Sequence, residues 1–380
     1  MDIESLRTLQ HDDRTSFNLL QDSVGQIDFS PLIEKIQSGV PAYQKMEIRK
    51  GNGRSRTIHK PDDTLKEIQR QLCALFNALP LYEHVYGFRV ATERHNVAGA
   101  QRGLRDMLNR YKRRTGKSWI EDCVQFDVRN FFPSIRTEDI DRAMQLYVDQ
   151  IFLHYPSVSA ESRSLLKNVF MTLCTLDDHL PQGAPTSPIL SNAASQPMDI
   201  ELGQIVKDAG GAMGPYADDF ATIFPRQIGK STIRKMTDVL AANGLEEATE
   251  KRSRSKKAEK LFIWGMTVLP PAQNGESIRF RVRRNYENEL HYRMNACRKS
   301  ILLHGITDET RHKVFSICGS ISHCANVGKH GMDTDLGEET YLPARLEHAW
   351  NIFLQTVQTM LPKSAPRWHR KPVQQTKRAA

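Results

Sequence analysis

Two adjacent carboxylates inside an apolar segment constrain the fold of this chain more than any other feature. Residues 214–224 read Gly-Pro-Tyr-Ala-Asp-Asp-Phe-Ala-Thr-Ile-Phe, two β-prone halves on either side of Asp218 and Asp219. The pattern predicts a hairpin with both acids at its turn. Adjacent carboxylates repel each other unless a cation lies between them, and Mg²⁺ binds one or two carboxylates together with substrate phosphates. Asp-Asp is also common in solvated turns, so this motif alone leaves both interpretations open.

A second acid strengthens the metal interpretation. Asp127 lies near the end of the apolar segment 124–128, which we predict to be a buried strand. An acid at a strand end beside a two-carboxylate hairpin supplies the oxygen ligands of a two-metal site, in which one ion activates the attacking oxygen and the other stabilises the leaving group. The alternative role for Asp127 is the N-cap of a helix.

The segment between these acids, residues 180–192, reads Leu-Pro-Gln-Gly-Ala-Pro-Thr-Ser-Pro-Ile-Leu-Ser-Asn. Three prolines and one glycine restrict its backbone, and Ser191-Asn192 could start a helix. By composition alone it is a rigid loop. Its position in the chain, between Asp127 and the Asp-Asp pair, makes this segment a highly specific sequence signal.

Composition limits the partners of the chain. The 380 residues contain 53 Lys and Arg against 44 Asp and Glu, a net charge of +9. This balance favours a polyanionic partner, but charge alone does not choose among nucleic acid, a membrane surface and a solvated face. No apolar run reaches the length of a membrane span. The six cysteines include no C-x-x-C pair, which predicts reduced thiols and a cytoplasmic location.

Three segments resemble motifs A, B and C of a reverse transcriptase, in that order. They are the segment around Asp127, residues 180–188 and residues 216–219. The sequence of 180–188 is most similar to the bacterial group of retron, group II intron and phage-defence reverse transcriptases. Secondary motifs agree: the fingers hairpin and its helix at 50–69, the next fingers motif at 87–89, motif D at 244–251, the primer-grip region at 262–265 and the start of a thumb at 319–323.

The resemblance implies an α+β fold, the right-hand polymerase with fingers, an antiparallel-sheet palm and a helical thumb. The predicted divisions are an N-terminal helical extension at 1–40, fingers at 41–120, a palm at 121–284 with fingers-associated helices at 138–176, a helical thumb at 285–362 and a basic flexible tail at 363–380.

The implied function is RNA-directed DNA synthesis, in which a dedicated non-coding RNA is copied into DNA by two-metal-ion nucleotidyl transfer in antiphage defence. The implied cofactors are two Mg²⁺ ions, with Mn²⁺ as a substitute. The implied partners are the structured RNA template, its DNA product, dNTPs, a defence effector protein and a second copy of the chain, with no membrane.

Two alternatives remain open. One is an RNA-dependent RNA polymerase of the same right-hand fold, which Phe132 and the Tyr-Ala-Asp-Asp sequence disfavour because such enzymes commonly have Gly-Asp-Asp. The other is an RNA-binding scaffold without catalysis, which the three intact acids disfavour.

The resemblance also implies roles for single residues at the chemical centre. Asp127 and Asp218 would bind both metal ions, with Asp219 and the backbone carbonyl of Val128 completing the site. Lys251 would protonate the leaving pyrophosphate, or it would be a solvated charge in a basic run. Phe132 falls on the steric-gate position, where a ring collides with a ribose 2′-hydroxyl; its alternative role is in the core, which we favour for Phe131.

Two larger sets of residues are implied to contact substrate. The nucleotide-binding set is Lys50, Arg56, Phe132, Gln182, Gly183 and Tyr216. The nucleic-acid-binding set, drawn from basic segments of the fingers, thumb and tail, is Arg110, Lys112, Arg113, Arg298, Lys299, Arg367, Trp368 and Arg370.

Overall fold

The computed structural model of the protein describes residues 28–49, 55–78, 85–88, 99–153, 159–256, 261–269, 278–331 and 342–360. Two compact units divide the chain: Met1–Thr115 with Ile120–Arg254, and Gly116–Trp119 with Ser255–Ala380. The boundary between them falls at 254/255, whereas the sequence predicts the end of the palm at 284. The fingers, palm and thumb divisions therefore stay predictions.

The first unit begins with a helix and a hairpin. Helix α1 (Ser30–Gln37) is followed by the antiparallel strands β1 (Tyr43–Arg49) and β2 (Ser55–Pro61), with Tyr43 opposite Pro61. This confirms the predicted hairpin, although its tip at 50–54 lies outside the described residues. Helix α2 (Asp63–Ala78) starts where the Asp62 carboxylate accepts the Thr64 N–H at 2.9 Å. Helix α3 (Ala100–Thr115) contains much of the basic segment.

A four-stranded sheet has the order β4-β5-β3-β6, and all of its residues except Ser255 and Lys256 belong to this unit. Its strands are β3 (Asp122–Asp127), β4 (Ala212–Tyr216), β5 (Asp219–Phe224) and β6 (Ser253–Lys256). Strands β3 and β5 are antiparallel neighbours, and their register pairs Asp127 with Asp219. Residues 220–224 of β5 are all buried, because a central strand is covered on both faces.

Five further helices contribute to the same hydrophobic core as the sheet. They are α4 (Phe131–Ser134), α5 (Thr137–Phe152), α6 (Ala160–Cys174), α7 (Ser187–Asp208) and α8 (Lys230–Ala242). Helix α7 packs against β4, α2, α5 and α8, so its first half is buried on almost every side. Pro188 lies at its first turn, where a missing N–H costs no hydrogen bond. This helix connects the proline-rich loop to the core.

The second unit contains a three-stranded antiparallel sheet and three helices. The sheet has the order β7 (Leu261–Ile263), β8 (Met266–Leu269), β9 (Arg279–Val282). The sequence predicts one strand over 261–269, and this is wrong: Trp264 and Gly265 both have positive φ, +46° and +80°, which reverses the chain between two short strands.

The helices of the second unit are α9 (Arg284–His304), α10 (Asp308–Gly331) and α11 (Ala344–Met360). Helix α9 packs against α10 and α11. The spacing of apolar residues predicts one apolar face over 286–301 and another over 346–360. These faces are largely confirmed, because the structure buries Leu290, Met294, Cys297, Ile301, Leu346, Trp350, Phe353 and Val357. Met360 is 39% exposed and does not belong to that face. Within the described part of the chain, no helix has both the length and the apolar character needed to cross a membrane.

Candidate active site

The turn between β4 and β5 brings two acids to one end of the central sheet. Ala217 and Asp218 form this two-residue connection, and Ala217 has a φ of +59°, a conformation in which glycine is favoured. The Val128 N–H donates to the Asp218 carbonyl at 3.0 Å, which fixes the turn to the end of β3. Asp127, Asp218 and Asp219 therefore lie together, as the sequence predicts.

The three carboxylates influence one another electrostatically. Burial raises the pKa of Asp218 above its ordinary value, and the charge of Asp127 raises it further, while Lys251 and Arg56 oppose the shift. Partial removal from water, together with the charges of Asp218 and Asp127, raises the pKa of Asp219 to about 6, although the residue is exposed. Such shifts are typical of sites where negative charge is concentrated.

A loop from 246 to 251 supports the third acid, Asp127. The Ala248 N–H donates to the Asp127 carbonyl at 2.7 Å, and the Arg129 N–H donates to the Glu246 carbonyl at 2.9 Å. A 3₁₀ turn at Thr249–Lys251 then places Lys251 Nζ 2.5 Å from Asp127 Oδ1. Lys251 thus reaches the carboxylate cluster, and its role as an acid stays a prediction.

The donor set suits a divalent cation in its chemistry. Carboxylate oxygens are the ligands that Mg²⁺ prefers, and the mutual repulsion of three acids is relieved by a positive charge. Among the described residues, however, no three acidic, histidine or cysteine side chains converge to bind one ion together. In this structure Asp127 is paired with the Lys251 ammonium instead.

The proline-rich loop lies beside the fingers hairpin. The His59 N–H of β2 donates to the Gln182 carbonyl at 2.8 Å, and the Ser187 hydroxyl donates to the Pro181 carbonyl at 2.7 Å. Gly183 follows with a φ of +125°. These contacts fix Gln182 and Gly183 against β2, the strand that also carries Arg56.

Three aromatic rings form a cluster that includes Tyr216, the residue before the turn. Phe132, in the short helix α4, has its ring centroid 6.0 Å from that of Phe88. The Phe88 ring centroid lies 6.4 Å from that of Tyr216, which precedes the turn. Phe131 is buried, as predicted, and Phe132 is only partly buried against the core. Phe88, Phe132 and Tyr216 are called the ring cluster below.

A family model described as reverse transcriptase (RNA-dependent DNA polymerase) matches residues 48–268, more than half of the chain. The chain belongs to the reverse transcriptase family. Among curated proteins, the retron Ec73 reverse transcriptase of Escherichia coli is 28% identical over 181 residues, which cover 46% of this chain and 51% of that protein. The retron Mx162 reverse transcriptase of Myxococcus xanthus is 24% identical over 258 residues, 62% of this chain and 49% of that protein.

The chain spans about half the length of the curated relatives it matches. Among solved structures, apo telomerase from Candida tropicalis gives a TM-score of 0.42 at 13% identity, over 86% of this chain and 66% of that one. The antiparallel palm sheet with flanking helices agrees with the right-hand fold that membership of the family implies.

One predicted nucleic-acid contact of the reverse transcriptase is corrected by the structure. The Arg110 side chain is only 10% exposed and is paired with Asp106, with Nε 2.9 Å from Oδ2. Its Nη2 donates to the Tyr86 hydroxyl at 2.5 Å and to the Met213 carbonyl at 2.8 Å. Burial and three partners hold Arg110 in the interior, so it does not face a phosphate backbone.

The other predicted contacts of this reverse transcriptase fall into two groups. Arg113 and Lys299 are exposed, while Lys112 and Arg298 are partly buried, and all four stay predictions. Lys50 and the tail residues Arg367, Trp368 and Arg370 lie outside the described residues.

Two residues near the candidate site are not indicated by the sequence. Asn192 appears in the sequence only as a helix-start signal, but its side chain is buried and donates to the Gly87 carbonyl at 2.7 Å. In the sequence Gly87 belongs only to a fingers motif, yet in the structure it lies against the backbone of the Asp218 turn. No pattern in the sequence indicates these contacts, because they join positions that are distant along the chain.

Proposed function

We propose that this chain is an RNA-directed DNA polymerase that extends a primer on an RNA template. The observation that carries the proposal is the register of β3 and β5, which pairs Asp127 with Asp219 and leaves Asp218 at the adjoining turn. Membership of the reverse transcriptase family and the likeness to retron enzymes support the same activity.

Each residue of the site has a role in this proposal. Two divalent cations, when bound, would activate the attacking 3′-oxygen and stabilise the leaving pyrophosphate. Asp127, Asp218, Asp219 and the Val128 carbonyl would hold them. Lys251 would separate from Asp127 and then give a proton to the leaving pyrophosphate. Arg56 would bind the triphosphate, and Phe132 would exclude nucleotides that carry a 2′-hydroxyl.

The template and the biological role are finer proposals. Likeness to retron reverse transcriptases supports a dedicated non-coding RNA as the template, and an antiphage role with an effector protein goes with it. Phage plating on cells that express the wild-type chain or the Asp218→Asn variant, each with its neighbouring genes, tests that role. Equal plating on both would contradict it.

The activity is tested with the Asp218→Asn variant. The substitution keeps the size of the side chain and removes one negative charge from the cation site. We expect dNTP incorporation on an RNA template with Mg²⁺ to fall by about a hundredfold or more, because electrostatic stabilisation is usually the largest catalytic contribution. Incorporation of labelled dNTPs and, separately, of labelled NTPs is measured for both proteins.

Asp238→Asn is the matched control, since Asp238 is an exposed acid on α8 with only a 3.8 Å contact to Arg234. It should retain wild-type incorporation. Near-normal synthesis by a folded Asp218→Asn protein would contradict the proposed activity. Preferential NTP incorporation by the wild type would favour the RNA polymerase alternative.

A further inference from the structure

Residues 85–88 lie against the strand that leads to the catalytic turn. The Tyr86 N–H contacts the Pro215 carbonyl of β4 at 3.4 Å. At the next residue the approach is so close that a Cβ atom on Gly87 would lie 2.9 Å from the Ala217 nitrogen and 3.3 Å from the Tyr216 Cα atom. Both neighbours are backbone atoms, so they cannot move aside without moving the turn. The position of Gly87 and the position of the Asp218 turn are therefore linked.

Asn192 fixes this segment from the other side. Its Nδ2 donates to the Gly87 carbonyl at 2.7 Å, and the residue is only 5% exposed. A buried carbonyl that loses its donor is costly, so this hydrogen bond strongly restricts where Gly87 can lie. Asn192 belongs to α7, which is itself packed against β4 and begins directly after the proline-rich loop.

The next residue, Phe88, carries this restriction to the ring cluster. Phe88 has a φ of +54°, which is uncommon for a bulky side chain and persists only where its surroundings impose it. Its ring contacts both Phe132 and Tyr216, although the residue is 41% exposed. Exposure and strain mean that the Phe88 ring depends on the backbone at 87 for its position.

We infer that Asn192 is a positioning residue for sugar selection: through the Gly87 carbonyl it holds Phe88 against Phe132 and thereby keeps the gate ring in place. The inference rests on the proposed DNA polymerase function. Asn192 acts on sugar specificity indirectly, through the backbone of residues 87–88.

The variant Asn192→Ala tests this role. Without the amide donor the 87–88 peptide is free to shift, and a displacement of about 1 Å at a reacting site can lower the reaction rate by about a hundredfold. We expect the ratio of kcat/KM for a dNTP to that for the matching NTP to fall by about tenfold or more. The change should come mainly from better use of NTPs, a result that general loss of stability would not produce.

A double-mutant cycle separates this role from simple destabilisation. Phe88→Ala should lower the same ratio, and adding Asn192→Ala to it should change the ratio little further, because the two residues act in series. Phe88→Ala also keeps the inference testable if Asn192→Ala does not fold, since a half-exposed ring is tolerant of truncation. Asn243→Ala is the matched control: its Nδ2 donates to the Val239 carbonyl at 2.8 Å at the end of α8, so the ratio should not change.

The outcomes are distinct. If the wild type polymerises and Asn192→Ala discriminates between dNTPs and NTPs as well as the wild type does, this inference alone is overturned. If Asn192→Ala does not fold, the same result for Phe88→Ala overturns it. Independent, multiplying effects of Asn192→Ala and Phe88→Ala also overturn it. A folded wild type that incorporates neither dNTPs nor NTPs overturns the proposed function, and the inference falls with it.

Discussion

At Gly183 the side chain is limited to a hydrogen atom by two separate constraints. A Cβ atom there would lie 2.7 Å from the Ile58 Cγ2 atom and 2.9 Å from the His59 carbonyl oxygen, and the φ of +125° disfavours any other residue. Gly183→Ala should push β2 away from the loop and weaken the hydrogen bond between His59 and Gln182. We expect kcat/KM for dNTPs to fall by about tenfold or more, measured by steady-state primer extension.

Gly229→Ala is the control for this substitution. A Cβ atom on Gly229 would meet nothing closer than the Ser231 Oγ atom at 3.5 Å, and its φ of −76° suits alanine. Nucleotide incorporation by this variant should match the wild type. If Gly183→Ala polymerises normally while remaining folded, the loop is not held by β2 as described.

Asp199 gives the protein a pH-dependent stability. Its carboxyl group is fully buried in α7, its Oδ1 has no hydrogen-bond partner, and burial raises its pKa well above the ordinary value. A folded state that holds the proton more tightly than the unfolded state is stabilised at low pH, and this stabilisation is lost as the pH rises from about 4 through the folded-state pKa. Asp199→Asn removes the ionisation, so it should raise the free energy of unfolding above that pKa.

Urea unfolding at several pH values tests this expectation. The stability difference between Asp199→Asn and wild type should be largest at pH 8 and should shrink towards pH 4. Glu201→Gln, an exposed acid on the same helix, should show no such dependence. A difference that is constant with pH would mean that Asp199 is not the group that titrates.

At the residue scale, the sequence predicts the acids well and their supporting partners poorly. Asp127, Asp218 and Asp219 are detectable because acids interrupt apolar segments. The contacts of Asn192 with Gly87 are not detectable, since they join positions that are distant in the chain and depend on the packing of α7. The partners of Arg110 are hidden for the same reason, and its charge alone suggests a surface role.

At the element scale, the buried side of α3 is hydrogen-bonded to residue 86 and to strand β4. Arg110 joins Asp106, the Tyr86 hydroxyl and the Met213 carbonyl. Arg110→Ala therefore removes the counter-charge of Asp106 and the arginine donor to the Met213 carbonyl, while the Tyr86 hydroxyl still donates to Asp106. We expect a loss of about 2–4 kcal/mol in the free energy of unfolding, measured in urea, because breaking a buried pair leaves an uncompensated charge.

Arg113→Ala, on the exposed side of the same helix, is the matched control and should change stability by less than about 0.5 kcal/mol. If the two variants unfold at the same urea concentration, the contacts of Arg110 do not stabilise the fold as proposed. If Arg110→Ala weakens RNA binding without loss of stability, the original sequence prediction of a nucleic-acid contact is restored.

Elements were predictable where their pattern is local. The hairpins β1–β2 and β4–β5 and the helix α8 follow from alternation, turn residues and a glycine after the helix end. The turn at Trp264-Gly265 was missed, because a tryptophan with positive φ is not a recognised turn signal, and the apolar residues around it read as one strand.

At the scale of the whole molecule, net charge predicts how RNA binding depends on salt. The tail from 363 carries six basic residues and no acid: Lys363, Arg367, Arg370, Lys371, Lys377 and Arg378. Affinity for RNA should fall log-linearly with salt, because bound phosphates release counterions. Replacing the six with glutamine should flatten the slope by up to about 4 units for a single strand, at about 0.7 per contact.

Fluorescence anisotropy with a labelled single-stranded RNA oligonucleotide at several salt concentrations measures this slope. Short-primer extension should survive the replacement, since no predicted catalytic residue lies in the tail. Unchanged affinity with abolished synthesis would show that the tail supports the catalytic unit instead. The sequence predicted family and fold at this scale, whereas the division at 254/255 depends on packing between distant segments and could not be predicted.

The first strand of the catalytic hairpin, β4, has a further consequence for the behaviour of the protein in solution. Among the strands that the structure describes, it lies at the edge of the central sheet, and an unprotected edge allows another chain to add a strand. Here Pro215 supplies no donor, and the edge carbonyls of Gly211 and Met213 accept hydrogen bonds from Arg114 and Arg110. Two carbonyls that an added strand would need are therefore already bonded to arginines of α3, so we expect this edge of the sheet to disfavour pairing with a strand of another molecule.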